Sequence, residues 1–329
     1  MRRIISVLLT CLFVLTLFTG CTNKEAEHVF IMADVQEEGH PTARASDYFA
    51  KLVNDRTKGR IEIEVFHGSS LGTEAQQVAQ VTVGGIDFVR TSSSVISNYD
   101  KSLKAFQALY IFDSEDSMWK VLDGEYGQSF LSTASLTDSN IEGLCWFSGG
   151  SRNFYNNKKV IKTPQDLKGL KLRVNTDSMF ALLDGQGCEG INVAYGDIFD
   201  SIKAGVIDGA ENNWPSYIST EHYTVAGNIT IDEHTRIPEM IIASKSVMDS
   251  LSAEDAQIVR ECAIEASKKQ RVWMQEFDEE AIKTAEDAGC TITYLTPEEI
   301  EQFQKAAEPV NKKVSAEYMD IIKKLQAGQ

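Results

Sequence analysis

Ile61-Glu-Ile-Glu-Val-Phe-His-Gly-Ser-Ser-Leu-Gly-Thr-Glu-Ala-Gln-Gln-Val-Ala-Gln-Val-Thr-Val-Gly-Gly-Ile-Asp-Phe-Val89 changes its hydrophobic period twice. Ile61, Ile63 and Val65 alternate with glutamates, the period of a half-buried strand. Gly68–Gly72 turns the chain, and Thr73–Val83 brings apolar residues back at helical spacing. Gly84-Gly85 stops that helix, and Ile86–Val89 reads as the next strand. Working outward, His28–Ala33 is an earlier strand. Thr42–Asn54 is a helix with Ala45, Tyr48, Phe49, Leu52 and Val53 on one face, entered through the turn Gly39-His40-Pro41. The order is βαβαβ, which implies a parallel sheet with helices on its faces.

The pattern returns downstream. Ile141–Phe147 is strand-like, Thr163-Pro164 opens a helix, and Leu170–Val174 is a strand. Helices are expected over Ser178–Gln186, ended by Gly187, and over Asp197–Lys203, stopped by Gly205; Val206-Ile-Asp208 begins another strand. Val83–Phe88 and Lys203–Asp208 share one order: helix, glycine stop, β-branched residue, Asp. Such a repeat suggests two similar α/β lobes. Met240–Ser244 is a strand, and Ser252 with Asp255 caps a helix. That helix continues from Ala253 to about Ala288 without Gly or Pro. About 35 residues at 1.5 Å each span roughly 50 Å, enough to cross from one lobe to the other. Thr296-Pro297 starts a final amphipathic helix. The expected division is 28–149 plus about 238–275 in one lobe, and 150–237 plus about 276–329 in the other.

Composition narrows the function. The chain has 329 residues, too many for one small core, with 43% hydrophobic and 24% charged residues, an ordinary globular balance. Thirty-two basic residues face 48 acidic ones, a net charge of −16. So acidic a chain makes a poor nucleic-acid binder, and an anionic ligand would need local cations to hold it. Arg2 and Arg3 precede an apolar stretch, Ile4–Phe18, too short for a membrane span, and then Leu17-Phe18-Thr19-Gly20-Cys21. Small residues before a Cys resemble a lipobox, although Phe18 stands where an aliphatic residue is usual. The expectation is a leader over 1–20, an acylated Cys21, a polar tether over 21–27, and an exported chain held to a bacterial membrane by lipid alone. Removing the leader leaves 30 basic against 48 acidic residues, or −18. Cys145, Cys188, Cys262 and Cys290 have no metal spacing, and isolated buried thiols are the expected state.

Few motifs carry chemistry. Gly68-Ser-Ser-Leu-Gly72 fits a nucleophile elbow around Ser70, but too little chain precedes it for the strands such a hydrolase needs, so a plain turn is expected. The five histidines are scattered, and neither a metal motif nor a phosphate or dinucleotide loop is present. No cofactor is expected, nor enzymatic activity. Lys162-Thr-Pro-Gln-Asp-Leu-Lys-Gly-Leu-Lys-Leu-Arg-Val174 is more informative. Arg173 stands near a strand end, where open α/β sheets bind ligands. Its planar fork suits a carboxylate; a surface salt bridge is the alternative. Arg90 follows the strand Ile86–Val89 and Glu74 stands at a helix N-terminus; with a cleft between two lobes, Arg90 would reach it from the first lobe and Glu74 would accept hydrogen bonds from ligand hydroxyls there. His40 is either a cleft residue or a turn residue before Pro41.

The block KTPQDLKGLKLRV, then IKAGVIDGAENNWPSY and His222-Tyr223, resembles the substrate-binding subunits of TRAP (tripartite ATP-independent periplasmic) transporters, the DctP group. IEIEVFHGSSLG is similar to the group's early strand–turn block, and the likeness covers nearly all of 28–310. It implies a periplasmic-binding-protein-like α/β fold with two lobes, parallel-rich sheets, a long helix bracing both, and a cleft that closes on an organic acid. It implies Arg173 and Asn212 as carboxylate ligands, Arg152 as a second arginine of sugar-acid binders, and membrane subunits as partners. Asn175 stands where a Pro commonly follows the strand, and Asn213-Trp214 where a Pro often follows Glu-Asn. Asn213 and Trp214 supply an amide and an aromatic face for a sugar ring, although Trp214 and Tyr217 serve equally well as core. The ENNWPSY and Glu-His-Thr-Arg-Ile-Pro-Glu segments resemble the uronate binders. The expected solute is therefore a hexuronate such as glucuronate or galacturonate; C4-dicarboxylates or another sugar acid are the alternative.

Overall fold

The computed structural model describes residues 26–314 and 316–328. The leader, Cys21 and most of the tether lie outside the described residues.

Two sheets organise the chain. The first has strand order β2-β1-β3-β10-β4: β2 is Ile61–Phe66, β1 His28–Asp34, β3 Phe88–Ser92, β10 Glu239–Ser244 and β4 Ile141–Phe147. β1 runs parallel to β2 and β3, and β10 runs antiparallel to β3 and β4. The second has order β11-β9-β5-β8-β6-β7: β11 is Thr291–Tyr294, β9 Asn228–Thr235, β5 Arg152–Asn156, β8 Gly209–Asn212, β6 Lys171–Arg173 and β7 Glu189–Ile191. Here β5 is antiparallel to both neighbours and the other pairings are parallel. Each parallel-rich sheet thus accepts one antiparallel strand, and in each case that strand has just arrived from the other lobe.

The expected α/β architecture is present, with local shifts. Helix α1, Pro41–Arg56, and α2, Glu74–Val83, flank the first sheet; Thr73 and Gln76 form a capping box and Gly84 ends α2 in the left-handed conformation. β3 starts two residues later than expected and runs on to Ser92, because Asp87 accepts the Ile31 N–H through its carboxylate. Arg90 therefore lies inside a strand, opposite Asp34 and Ile241. A run of short helices between Ser93 and Asp138, not anticipated from sequence, builds one face of the first lobe's core around Phe106, Trp119 and Trp146. In the second lobe, α3 is Asp177–Gly185, α4 Ile198–Lys203 and α5 Trp214–Ser219; Thr163-Pro164 opens only a 3-10 turn.

Helix α6 spans Ala253–Asp287, 35 residues, and starts at the Ser252 cap. Its Val259, Cys262 and Ala266 pack into the first lobe's core, and Ala281 and Ala285 into the second lobe's. Two short crossings, after β4 and after β9, complete the join. They lie side by side: a Cβ at Gly149 would come within 2.1 Å of the Ile237 carbonyl oxygen, and Gly150 has φ +63° beside Asn213. Glycine is needed there for close backbone approach and for the turn.

Two stretches depart from the expected division. Leu109 belongs to the second lobe's core with Phe154 and Phe303, and the Tyr110 N–H donates to the His234 carbonyl. The expected last helix is two: α7, Pro297–Val314, in the second lobe, and α8, Met319–Ala327, which returns Ile322 and Leu325 to the first lobe's core. Apolar burial decides both, since each stretch goes where its largest apolar side chains find a pocket. The four cysteines among the described residues are free, three of them buried.

Candidate functional site

The two sheets point strand ends at one another. From the first come the ends of β1 and β3 and the start of β10; from the second, the ends of β6, β8 and β9 and the start of β5. Ligands of open α/β sheets lie at such carboxyl ends. The chamber between them is lined by Gln36, Glu74, Arg90 and Glu239 of the first lobe and by Arg152, Arg173, Asn175, Tyr195 and Asn212 of the second. It holds about 40 Å³ of free space and borders an outer cleft of about 730 Å³ that shares Glu74, Arg173, Asn175 and Tyr195. The lobes already touch across it. The Tyr195 hydroxyl donates to Gln36 Oε1 at 2.7 Å, and Lys104 pairs with Asp177 at 2.8 Å.

The first-lobe wall is acidic around a single cation. Buried Arg90 donates through Nε and Nη2 to Asp34 Oδ1 at 2.9 and 2.7 Å. Its Nη1 lies 3.3 Å from Glu239 and 3.9 Å from Glu74. Burial alone would lower its pKa; Asp34, Glu239 and Glu74 outweigh that and raise it. Asp34 also accepts from the Gln36 N–H and the Ser46 hydroxyl, and Glu74 Oε1 from the Thr91 hydroxyl and the Ser92 N–H. Glu239 Oε2 is buried without a hydrogen-bond partner among the described residues.

The second-lobe wall alternates charge. Arg152 grips Glu211 through Nε and Nη2, and its Nη1 donates to Asn212 Oδ1 at 2.9 Å. Behind Glu211 stands His234, with Nε2 at 3.2 Å from Glu211 and Nδ1 at 3.0 Å from Asp232. With a carboxylate at each nitrogen the ring donates from both, so it is an imidazolium. Burial opposes that charge, but Asp232 and Glu211 lift the His234 pKa to about 9. Burial would raise Glu211; the Arg152 charge and the His234 and Arg152 hydrogen bonds bring it down to about 2.

Arg173 differs from both. It is buried, its Nε donates to the Val193 carbonyl at 3.0 Å, and no carboxylate among the described residues forms an ion pair with it. Burial and the nearby Arg152 charge pull its pKa below the ordinary guanidinium value, with Glu211 opposing. A buried cation in that state gains from any anion that reaches it. Beside it, Asn212 spends its carbonyl oxygen on Arg152 and the Asn213 N–H, and Asn175 Oδ1 is buried without a partner.

Of the residues singled out from sequence, Arg173, Arg152, Asn212, Arg90 and Glu74 come together on the chamber wall. His40, Asn213 and Trp214 do not line it. His40 Nδ1 caps α1 by accepting the Thr42 N–H at 3.0 Å, and burial followed by Arg90 lowers its pKa to about 3. Asn213 caps α5 through the Ser216 N–H at 2.7 Å and donates to the Gly149 carbonyl. Trp214 sits in the second lobe's core, edge-on to Tyr217. A polar residue just before a Pro-started helix is a cap signal, and both His40-Pro41 and Asn213-Trp-Pro215 carried it. Gln36, Glu239, Asn175 and Tyr195 were not among the expected ligand residues, although Asn175 was noted as a departure after its strand and Glu239 ends the Glu-His-Thr-Arg-Ile-Pro-Glu segment. Ser70 lies exposed on its turn, and no hydrogen bond among those described joins it to a histidine.

Comparisons with known proteins agree with this fold. The model of the bacterial extracellular solute-binding protein family 7, DctP, matches residues 32–317. A TRAP periplasmic solute-binding protein of Chromohalobacter salexigens, crystallised with bound D-glucuronate, superposes with a TM-score of 0.86 at 32% identity, covering 91% of this chain and 100% of that one. A Sulfitobacter TRAP solute-binding protein with bound β-D-galacturonate gives 0.85 at 30% identity, covering 91% and 98%. The C4-dicarboxylate-binding protein DctB of Bacillus subtilis is 25% identical over 86% of this chain and 81% of its own. The chain, with its two sheets, bracing helix and cation-bearing interlobe chamber, belongs to the DctP family of bacterial extracellular solute-binding proteins.

Proposed function

We propose that this chain is the solute receptor of a TRAP-type transporter and captures a hexuronate, D-glucuronate or D-galacturonate, by closure of the two lobes. The observation that carries this reading is Arg173, a buried chamber guanidinium without a carboxylate partner among the described residues. It takes the solute carboxylate bidentately, with Arg152 and Asn212 at its flank. The acidic groups of the first lobe, Glu74 and Glu239, and the Gln36 amide meet the sugar hydroxyls. Closure excludes water and strengthens each charge-assisted bond. The chain is exported, anchored by lipid at Cys21, and delivers its solute to the membrane subunits of the transporter. The uronate-bound neighbours support this solute class.

A thermal-shift screen of the protein against uronates, aldonates and C4-dicarboxylates tests it. Ligand at 100 times its Kd adds about 2.7 kcal/mol, so a shift with uronates and none with dicarboxylates is the expected result. A shift with dicarboxylates alone would overturn the solute assignment.

A further inference from the structure

We infer that Glu239 contacts the solute and does so protonated, so that the receptor takes up a hexuronate and a proton together. The inference rests on the uronate reading above and deepens it.

Glu239 opens β10, where the chain re-enters the first lobe, and its side chain lines the chamber. Among the described residues its one ion pair is Oε1 to Arg90 Nη1 at 3.3 Å, and Oε2 is buried with no hydrogen-bond partner. An unpartnered buried carboxylate oxygen is costly, and the chamber is where its partner would arrive. The charges that face it are Arg90 on β3, Asp34 on β1, Glu74 at the start of α2 and Arg152 on β5. Its ladder neighbours, Ser92 and Phe147, carry none.

Arg90 is one cation among three carboxylates, and Arg152 is already engaged by Glu211. Arg173 meets the solute carboxylate, but the three first-lobe carboxyls around one guanidinium stay in excess when the solute displaces water from the chamber. One of the three is best placed to lose its charge. Asp34 holds four hydrogen bonds from Arg90, Gln36 and Ser46, and Glu74 holds a hydroxyl and a backbone N–H, so the oxygens of both are already committed as acceptors. Glu239 accepts no such bond. Burial lifts its pKa, Arg90 opposes, Glu74 and Asp34 add to the rise, and the balance is about 7. Protonated, Glu239 removes the excess negative charge and presents an O–H donor to a uronate oxygen.

Isothermal titration of the protein with D-glucuronate in phosphate and in Tris, buffers of different ionisation enthalpy, reads the proton directly. With a pKa near 7 in the free protein, uptake of about three-quarters of a proton per solute is expected at pH 7.5, and Kd should rise about tenfold between pH 6 and pH 8. Glu239→Gln should abolish the uptake, flatten the pH dependence, and bind more tightly than wild type at pH 8. Equal heats in the two buffers, or uptake that persists in Glu239→Gln, would overturn the proposal while leaving the receptor reading intact. Should the variant not fold, the wild-type buffer pair still decides. No binding of any uronate would overturn both.

Discussion

The two walls of the chamber handle buried charge in opposite ways. The second-lobe wall is closed on itself: Arg152, Glu211, His234 and Asp232 alternate in sign, and each partner is within hydrogen-bond distance of the next. One cation beside it, Arg173, stays outside that alternation. On the first-lobe wall the excess is negative, three carboxylates around Arg90. In the proposed reading the contrast separates residues that hold the architecture from residues that hold solute, although all are charged and at least half-buried. A solute with a carboxylate at one end and hydroxyls at the other meets a matching end on each wall.

Breaking the alternating wall should have the largest effect, and on stability. Glu211→Gln removes the counterion of Arg152 and one of the two counterions of His234; breaking a buried pair this way costs about 3–5 kcal/mol, readable as a Tm drop by calorimetry. Breaking the odd cation should move affinity instead. Arg173→Ala should weaken D-glucuronate binding by about 2–5 kcal/mol, roughly 30- to several-thousand-fold, while leaving the Tm of the solute-free protein unchanged or higher, because an uncompensated buried charge has gone. An equal Tm loss in both variants would erase the distinction.

The same wall sets a pH window. The His234 pKa rises from 6.5 to about 9 on folding. Its stabilisation is therefore complete below about pH 6.5 and fades as pH climbs through 9. Glu211 moves the other way, from 4.5 to about 2, so its contribution is present above pH 4.5 and is lost toward pH 2. Urea denaturation across pH 4–10 should show an alkaline decline that disappears in His234→Gln. The smallest effect belongs to the bond across the cleft. Tyr195→Phe removes one hydrogen bond to Gln36, about 1 kcal/mol, and should weaken uronate affinity by less than tenfold.

Much of the fold was legible because its decisive stretches are periodic and punctuated. Ile61–Val65 alternates in burial as it does in sequence, and the long helix starts at Ser252 and runs uninterrupted to Asp287. What stayed hidden obeys other physics. β9 reads Asn-Ile-Thr-Ile-Asp-Glu-His-Thr and buries Asp232 and His234 as a charge pair, so it lacks the apolar pattern that marks a strand. The short helices before Asp138 are too brief to show a period. In the site, Arg173 and Arg90 were legible because a cation beside a strand end is unusual in so acidic a chain; Arg152 and Asn212 were legible only through the family resemblance. His40 and Asn213 misled because a cap and a ligand group call for the same polar atoms. Glu239 was overlooked because its environment is assembled from four distant elements.

In the proposed receptor, everything turns on Arg173 as the seat of the solute carboxylate. The most direct test titrates wild type and Arg173→Ala with D-glucuronate and with D-glucose, its uncharged counterpart, by calorimetry. Saturable binding of glucuronate to wild type, at least a thirtyfold loss in Arg173→Ala, and no binding of glucose to either are expected. Glucose bound as tightly as glucuronate, or an Arg173→Ala affinity within tenfold of wild type, would contradict that role.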